Sequence, residues 1–151
     1  MTETRVVVIG GGYAGVMAAN RLTPHTVVTL VNPRPDFVER IRLHQLAVGN
    51  DDAVAAFSDV LATEVQLVVD DATRIDTRTR GVELAGGETL GYDYLIYAVG
   101  STGTVSSAVP GAAEFAYPIS ELEQAQRLAD RLAEVPAPAP IVVVGGGLTG
   151  I

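Results

Sequence analysis

VVVIGGGYAGVMAANRL, Val6 to Leu22, is the stretch from which the rest of the chain is read. Val6, Val7, Val8 and Ile9 are β-branched and no polar residue alternates with them, which predicts a strand buried on both faces. Gly10, Gly12 and Gly15 follow at the spacing G-x-G-x-x-G, and Ala14 to Leu22 reads as a helix. Each glycine has its own mechanical use. Gly10 permits the tight turn out of the strand, Gly12 lets a pyrophosphate approach the backbone, and Gly15 lets the helix pack close to the strand. The free N–H groups and positive dipole end of the helix then face the phosphates. Tyr13 and Ala14, inside the spacing, join the candidate cofactor-binding residues. One such motif is weak evidence. IVVVGGGLTGI, Ile141 to Ile151, repeats both the apolar strand and the glycines (Gly145, Gly147, Gly150), so two dinucleotide sites are expected.

Working outward, Thr26 to Val31 (TVVTLV) predicts a second strand parallel to the first, completing a βαβ unit. At its end a dinucleotide site usually carries an acidic residue that accepts from the ribose hydroxyls. Here that position is Asn32, whose amide can accept from one hydroxyl and donate to another. Arg34 follows and is placed to stack on adenine or to pair with a phosphate, unless Asn32 to Pro35 is simply a stiff loop. Phe37 to Gly49 reads as a short helix or irregular segment beside whatever the glycine loop holds. Its Arg40 and Arg42 either face an electron-rich ligand or are solvated charges. Asp51 to Ala62 is expected to be helical, with Ala53, Val54, Phe57 and Leu61 on one face.

From Glu64 to Leu90 the runs VQLVVD, ATRIDT and RGVELA, with turns at Asp70-Asp71 and Gly86-Gly87, predict an antiparallel meander interrupting the parallel sheet. YLIYAVG, Tyr94 to Gly100, is again a buried strand, entered through Tyr92-Asp93. After a connector, Ser120 with Glu123 three residues on predicts a capping box for a helix Glu121 to Glu134. Leu122, Ala125, Leu128, Ala129 and Leu132 supply its apolar stripe. PAPAP, Pro136 to Pro140, is a stiff linker to the second glycine motif.

Composition narrows the function classes. The chain has 151 residues, room for roughly one domain and a sizeable core. Its net charge is −8 and its ten basic residues are all arginine, in no run, which argues against nucleic acid as a partner. No apolar run approaches the ~18 residues of a membrane span, and the N-terminus leaves no room for a signal peptide. A cytoplasmic protein is the expectation. Cysteine is absent, which removes disulfides, thiolate metal sites and a dithiol relay. His25 and His44 alone do not make a metal site, and none is expected.

Taken together, the motifs resemble the first part of the two-dinucleotide-binding-domain flavoproteins, the pyridine nucleotide–disulfide oxidoreductase superfamily. Gly10-x-Gly12-x-x-Gly15, the meander, and Tyr92-Asp93-Tyr94-Leu95-Ile96-Tyr97-Ala98-Val99-Gly100, which is similar to the family's Y-D-x-L-I-x-A-T-G, carry the resemblance over nearly the whole chain. It implies that the first fingerprint holds the FAD pyrophosphate and the second holds NADH or NADPH. Ala98, Val99 and Gly100 would lie beside the FAD, and Ala72 falls where the family bonds adenine through its backbone. Val99 stands for the usual threonine and Asn32 for the usual acid. Gln45-Leu46-Ala47-Val48-Gly49 is similar to the Q-V-A-T-G of type II NADH dehydrogenases, which pass electrons to quinone. Arg40-Ile41-Arg42, however, stands where those enzymes have an uncharged stretch with proline.

The fold so implied is α/β: a Rossmann-like three-layer FAD-binding domain with a β-meander insertion, over residues 1–117. The beginning of a second, NAD(P)H-binding Rossmann domain occupies residues 118–151. The activity implied is an FAD-dependent NAD(P)H oxidoreductase passing hydride through FAD to a small-molecule acceptor such as a quinone. That chemistry is the flavin's own, so no catalytic side chain is implied. The family's later Gly-Asp segment and C-terminal interface domain do not occur here. The expectation is a fragment of a longer enzyme, inactive alone, with a non-catalytic FAD or dinucleotide-binding module as the alternative. A site for NAD(P) alone, as in short dehydrogenases, fits the meander poorly. Self-association through exposed sheet edges is a further expectation, with Ile141 to Val144 docking on an exposed edge of the first sheet or on another copy's edge.

Overall fold

A computed structural model describes residues 3–101 and 109–147. In chain order its elements are β1 (Arg5–Ile9), α1 (Tyr13–Leu22), β2 (Val27–Asn32), β3 (Asp36–Val38), a 3-10 turn (Arg40–Arg42), α2 (Leu43–Ala47), β4 (Val54–Ala56) and α3 (Phe57–Val60). Then come β5 (Gln66–Val69), β6 (Ala72–Asp76), β7 (Gly81–Leu84), β8 (Thr89–Gly91), β9 (Tyr94–Tyr97), α4 (Ala112–Phe115) and α5 (Leu122–Glu134). The chain divides into two compact units, residues 1–37 with 54–100 and residues 38–53 with 101–151.

The first unit is built on β1. Because successive strand residues point to opposite faces, Val6 and Val8 share one core with Ala19, Val28, Leu30, Phe37, Phe57 and Val65. Val7 and Ile9 share the other with Val31, Val82, Leu84 and Tyr92. A strand with no polar alternation is thus covered by α1 on one side and by the meander on the other, which makes the three layers. The four-stranded sheet runs β5-β2-β1-β9, with β1 parallel to β2 and to β9 and β2 parallel to β5. The meander is the antiparallel sheet β6-β7-β8. Asn20 ties α1 to the stretch after α3, its Nδ2 donating to the Val60 carbonyl (2.7 Å) and its Oδ1 accepting from the Ala62 N–H (2.9 Å).

Two expectations for this unit are corrected. VQLVVD does not open the meander. Gln66–Val69 pairs in parallel with Thr29–Asn32. Leu67 packs on the α1 side and Val68 on the meander side, so this run needs both faces covered and belongs in the sheet. The helix expected over Asp51 to Ala62 is instead the strand β4 followed by the single turn α3. Asp51 Oδ1 accepts from the Ala53 N–H (2.7 Å), and Ala53 takes a left-handed φ of 54°. A local side-chain bond to the backbone competes with helix formation in this way.

Where β9 begins, Asp93 is tied twice to Arg5: Asp93 N–H donates to the Arg5 carbonyl (2.9 Å), and Arg5 N–H donates to Asp93 Oδ2 (2.8 Å). That backbone hydrogen bond, with the Arg5 guanidinium nearby, holds the Asp93 carboxyl below the ordinary carboxylate value. A depressed folded-state pKa gives a contribution that is full above the unfolded-state pKa of about 4 and is lost as pH falls through the folded-state value. Asp93→Asn is therefore expected to flatten the acid limb of the curve of thermal midpoint against pH. Superimposable acid limbs for the two proteins would refute the assignment.

In the second unit Leu43, Ala53 and Ala125 are fully buried together, with Val38, Leu46 and Leu122 packed around them. The helix α5 starts one residue later than expected, and Ser120 does not cap it. The N-cap position is Glu121, with no side-chain cap bond. Arg40 explains the difference: its Nε and Nη2 donate to the Ser120 carbonyl (3.1 and 2.9 Å), and Nη2 also meets Glu121 Oε1 (3.0 Å). Ser120 Oγ instead donates to Gln124 Oε1 (3.3 Å). Ile141 to Val144 forms no strand among the described residues. Val142 is 82% and Val144 94% exposed. An apolar strand is stable only when neighbours complete its ladder and cover its faces. Among the described residues, no helix is long and apolar enough to cross a membrane.

Candidate functional site

The glycine turn leaves the C-terminal end of β1, between its parallel neighbours β2 and β9. Gly10 N–H donates to the Val31 carbonyl (2.9 Å), and Ala98 N–H donates to the Ile9 carbonyl (2.8 Å). Gly10 has a φ of 102°, a conformation that L side chains rarely adopt. A Cβ there would also strike the Ala98 carbonyl. Gly15 faces the Gly10 carbonyl from the first turn of α1, so closely that a Cβ on it would overlap that oxygen. Helix and turn are therefore in backbone contact, which is the use the spacing assigned to this glycine.

Gly12 differs from both. It is the N-cap residue of α1, with φ −81° and ψ −171°, values open to any residue. Among the described residues, no atom other than those of its chain neighbours lies within 4 Å of the place a Cβ would occupy. The first intrahelical bond runs from Val16 N–H to the Gly12 carbonyl (3.0 Å). The N–H groups ahead of it, including those of Tyr13, Ala14 and Gly15, have no i−4 acceptor within the helix. There is no acidic residue in the first turn to compete for them. Open space over a glycine at the positive end of a ten-residue helix is what a phosphate group requires.

The other expected residues distribute as follows. Ala98, Val99 and Gly100 leave the end of β9 next to Gly10, with Gly100 at a φ of 72°. Asn32 lies against the turn: its Oδ1 accepts from Gly11 N–H (2.9 Å), and its Nδ2 donates to the Arg34 carbonyl (2.8 Å). Ala72 begins β6 opposite Leu84 and packs with the meander core. Arg42 belongs to the second unit, where it pairs with Glu39 (2.9 Å) and Asp51 (2.8 Å). Among the described residues, nothing beyond the chain neighbours lies within 4 Å of where a Cβ on Gly145 or Gly147 would sit, and Gly150 lies outside the described residues.

Two contributors were not legible in the motif. Gly11 occupies an x position, yet a Cβ there would come within 2.5 Å of Phe57 Cζ and 2.9 Å of Asn32 Cγ. The run of three glycines from Gly10 to Gly12 was the available signal. Phe57, 3% exposed, supports the turn from below. It meets the edge of Phe37 (6.4 Å between centroids), and Phe37 in turn meets Tyr13 (5.1 Å).

Comparison with known proteins bears on this geometry. Residues 4–151 match the family described as pyridine nucleotide-disulphide oxidoreductase. An NADH dehydrogenase-like protein of Mycobacterium tuberculosis is 36% identical over 98% of this chain and 40% of its own length. One from Bacillus subtilis is 30% identical over 97% of this chain and 43% of its own. Among solved structures, the sulfide:quinone oxidoreductase of Aquifex aeolicus superimposes with a TM-score of 0.73 at 28% identity. That match covers 87% of this chain and 32% of the other. The chain thus spans less than half the length of these relatives. With the glycine turn and the layered sheet in place, the chain belongs to the pyridine nucleotide-disulphide oxidoreductase family, whose members are NAD(P)H-dependent flavoproteins binding FAD.

Proposed function

We propose that the first unit binds FAD and that the protein serves an NAD(P)H oxidoreductase whose electrons leave through that flavin. The observation that carries this reading is the open space over Gly12 at the start of α1. The residues present fit the group. The diphosphate would be held by the N–H groups of Gly12, Tyr13, Ala14 and Gly15, with Gly10 shaping the turn and Ala98 to Gly100 alongside. Ala72 would meet the adenine through its backbone. The flavin supplies the hydride and electron chemistry when bound, and the chain's residues bind and orient it.

In this reading residues 1–117 are the FAD-binding portion. Residues 118–151, with Gly145, Gly147 and Gly150, begin the NAD(P)H-binding portion; the repeat of the fingerprint supports that boundary. Quinone as the electron acceptor is supported by the likeness of Gln45 to Gly49 to the type II enzymes' motif. The likeness to the sulfide:quinone oxidoreductase of Aquifex aeolicus supports it too. The outer strands of the main sheet, β5 and β9, are where copies would associate.

The test is spectroscopic. Incubated with FAD and freed of excess by gel filtration, the chain should stay yellow with a bound-flavin absorption band. Addition of NADH should bleach that band no faster than it bleaches free FAD. A colourless protein would overturn the FAD assignment. Rapid bleaching would show a working oxidoreductase in these residues and overturn the reading of the chain as a binding portion only.

A further inference from the structure

We infer that Asn32 is a positioning residue that staples the glycine turn, and that the nucleotide's ribose is not its partner. The inference rests on the reading of the turn as a diphosphate seat and specifies how that seat is kept in shape. Asn32 ends β2, where a dinucleotide site usually presents a carboxylate to the ribose. Its side chain is turned instead to two backbone groups of opposite kind. Gly11 N–H donates to Oδ1 at 2.9 Å, and Nδ2 donates to the Arg34 carbonyl at 2.8 Å. These partners fix the amide's orientation, since an N–H needs an acceptor and a carbonyl needs a donor. They also account for an amide at this position. A carboxylate would meet Gly11 equally well but would set an oxygen against the Arg34 carbonyl oxygen.

The staple has consequences for binding. Gly11 is confined between the Asn32 amide and the Phe57 ring, with no room for a Cβ. Its N–H is taken by Asn32, so Gly11 is not among the donors that would meet the phosphates. The turn is thus held in its binding shape by bonds within the protein, so ligand binding does not have to pay for ordering it.

The experiment has one arm without ligand and one with. In the nucleotide-free chain, hydrogen exchange at the Gly11 amide is expected to be slow and to quicken about tenfold or more in Asn32→Leu, as for loss of one hydrogen bond. Asn32→Asp keeps the acceptor and should keep Gly11 protected, which covers the case in which the leucine variant does not fold. For the second arm, ADP and 2′,3′-dideoxy-ADP are titrated into wild type and both variants. A staple predicts an unchanged affinity ratio between the two ligands in every protein that binds them. A ribose ligand predicts a ratio that shrinks in Asn32→Leu and grows in Asn32→Asp. Unprotected Gly11 in the wild type, or a changed ratio, overturns the inference. Failure of the wild type to bind ADP overturns the diphosphate reading, and the exchange arm still decides the staple.

Discussion

Gly12→Ala is expected to strip FAD from the protein while leaving its fold in place. The backbone at Gly12 is extended and available to alanine, and among the described residues the new methyl would meet nothing within 4 Å beyond its chain neighbours. The one folding cost is that alanine is a poorer N-cap than glycine, about 1 kcal/mol at most, or ~2–4 °C in thermal midpoint for a chain of this size. Binding is affected far more. The methyl would stand in the proposed diphosphate seat at the helix start and would lengthen the ligand's bonds to the backbone N–H groups. A charge-assisted hydrogen bond is worth about 1.5–3 kcal/mol, so FAD affinity should fall roughly 10- to 100-fold. Titration of FAD fluorescence beside a thermal melt checks both halves. An affinity within about twofold of wild type would mean that the diphosphate sits elsewhere.

Gly15→Ala should produce the opposite balance, a large loss of stability with binding lost as a consequence. The added Cβ would overlap the Gly10 carbonyl oxygen and lie 3.0 Å from its carbon. Both atoms are backbone, so no rotamer change relieves the contact; α1 must move off β1. Overpacking costs about 1–3 kcal/mol when side chains can adjust, and here the upper end is the floor. At ~2–4 °C per kcal/mol, the midpoint should drop by roughly 10 °C. Calorimetry of the two variants side by side separates the roles: one glycine is small for the ligand, the other for the helix. A Gly15→Ala protein as stable as wild type would show that the contact between α1 and the turn is looser than described.

The two variants also mark what the linear pattern could say. The packing uses of Gly10 and Gly15 followed from spacing alone, because strand, turn and helix are contiguous and their geometry is local. The apolar run Val6 to Ile9 announced a strand covered on both sides, and α1 and the meander cover it. The same logic misplaced VQLVVD, since a short apolar run does not reveal whether its neighbour is parallel or antiparallel. It also put a helix over Asp51 to Ala62, where one carboxylate bonded to the Ala53 N–H turns the chain aside.

Composition and local order were enough for the βαβ start, the glycine turn and the family, because each depends on residues next to one another in the chain. The partners of individual polar side chains were not available that way. Asn32 meets Gly11 from 21 residues away, Asn20 meets Ala62 from 42, and Arg40 meets Glu121 from 81. Which donor finds which acceptor over such separations is set by how the layers pack, and only the assembled fold brings those groups within hydrogen-bond reach.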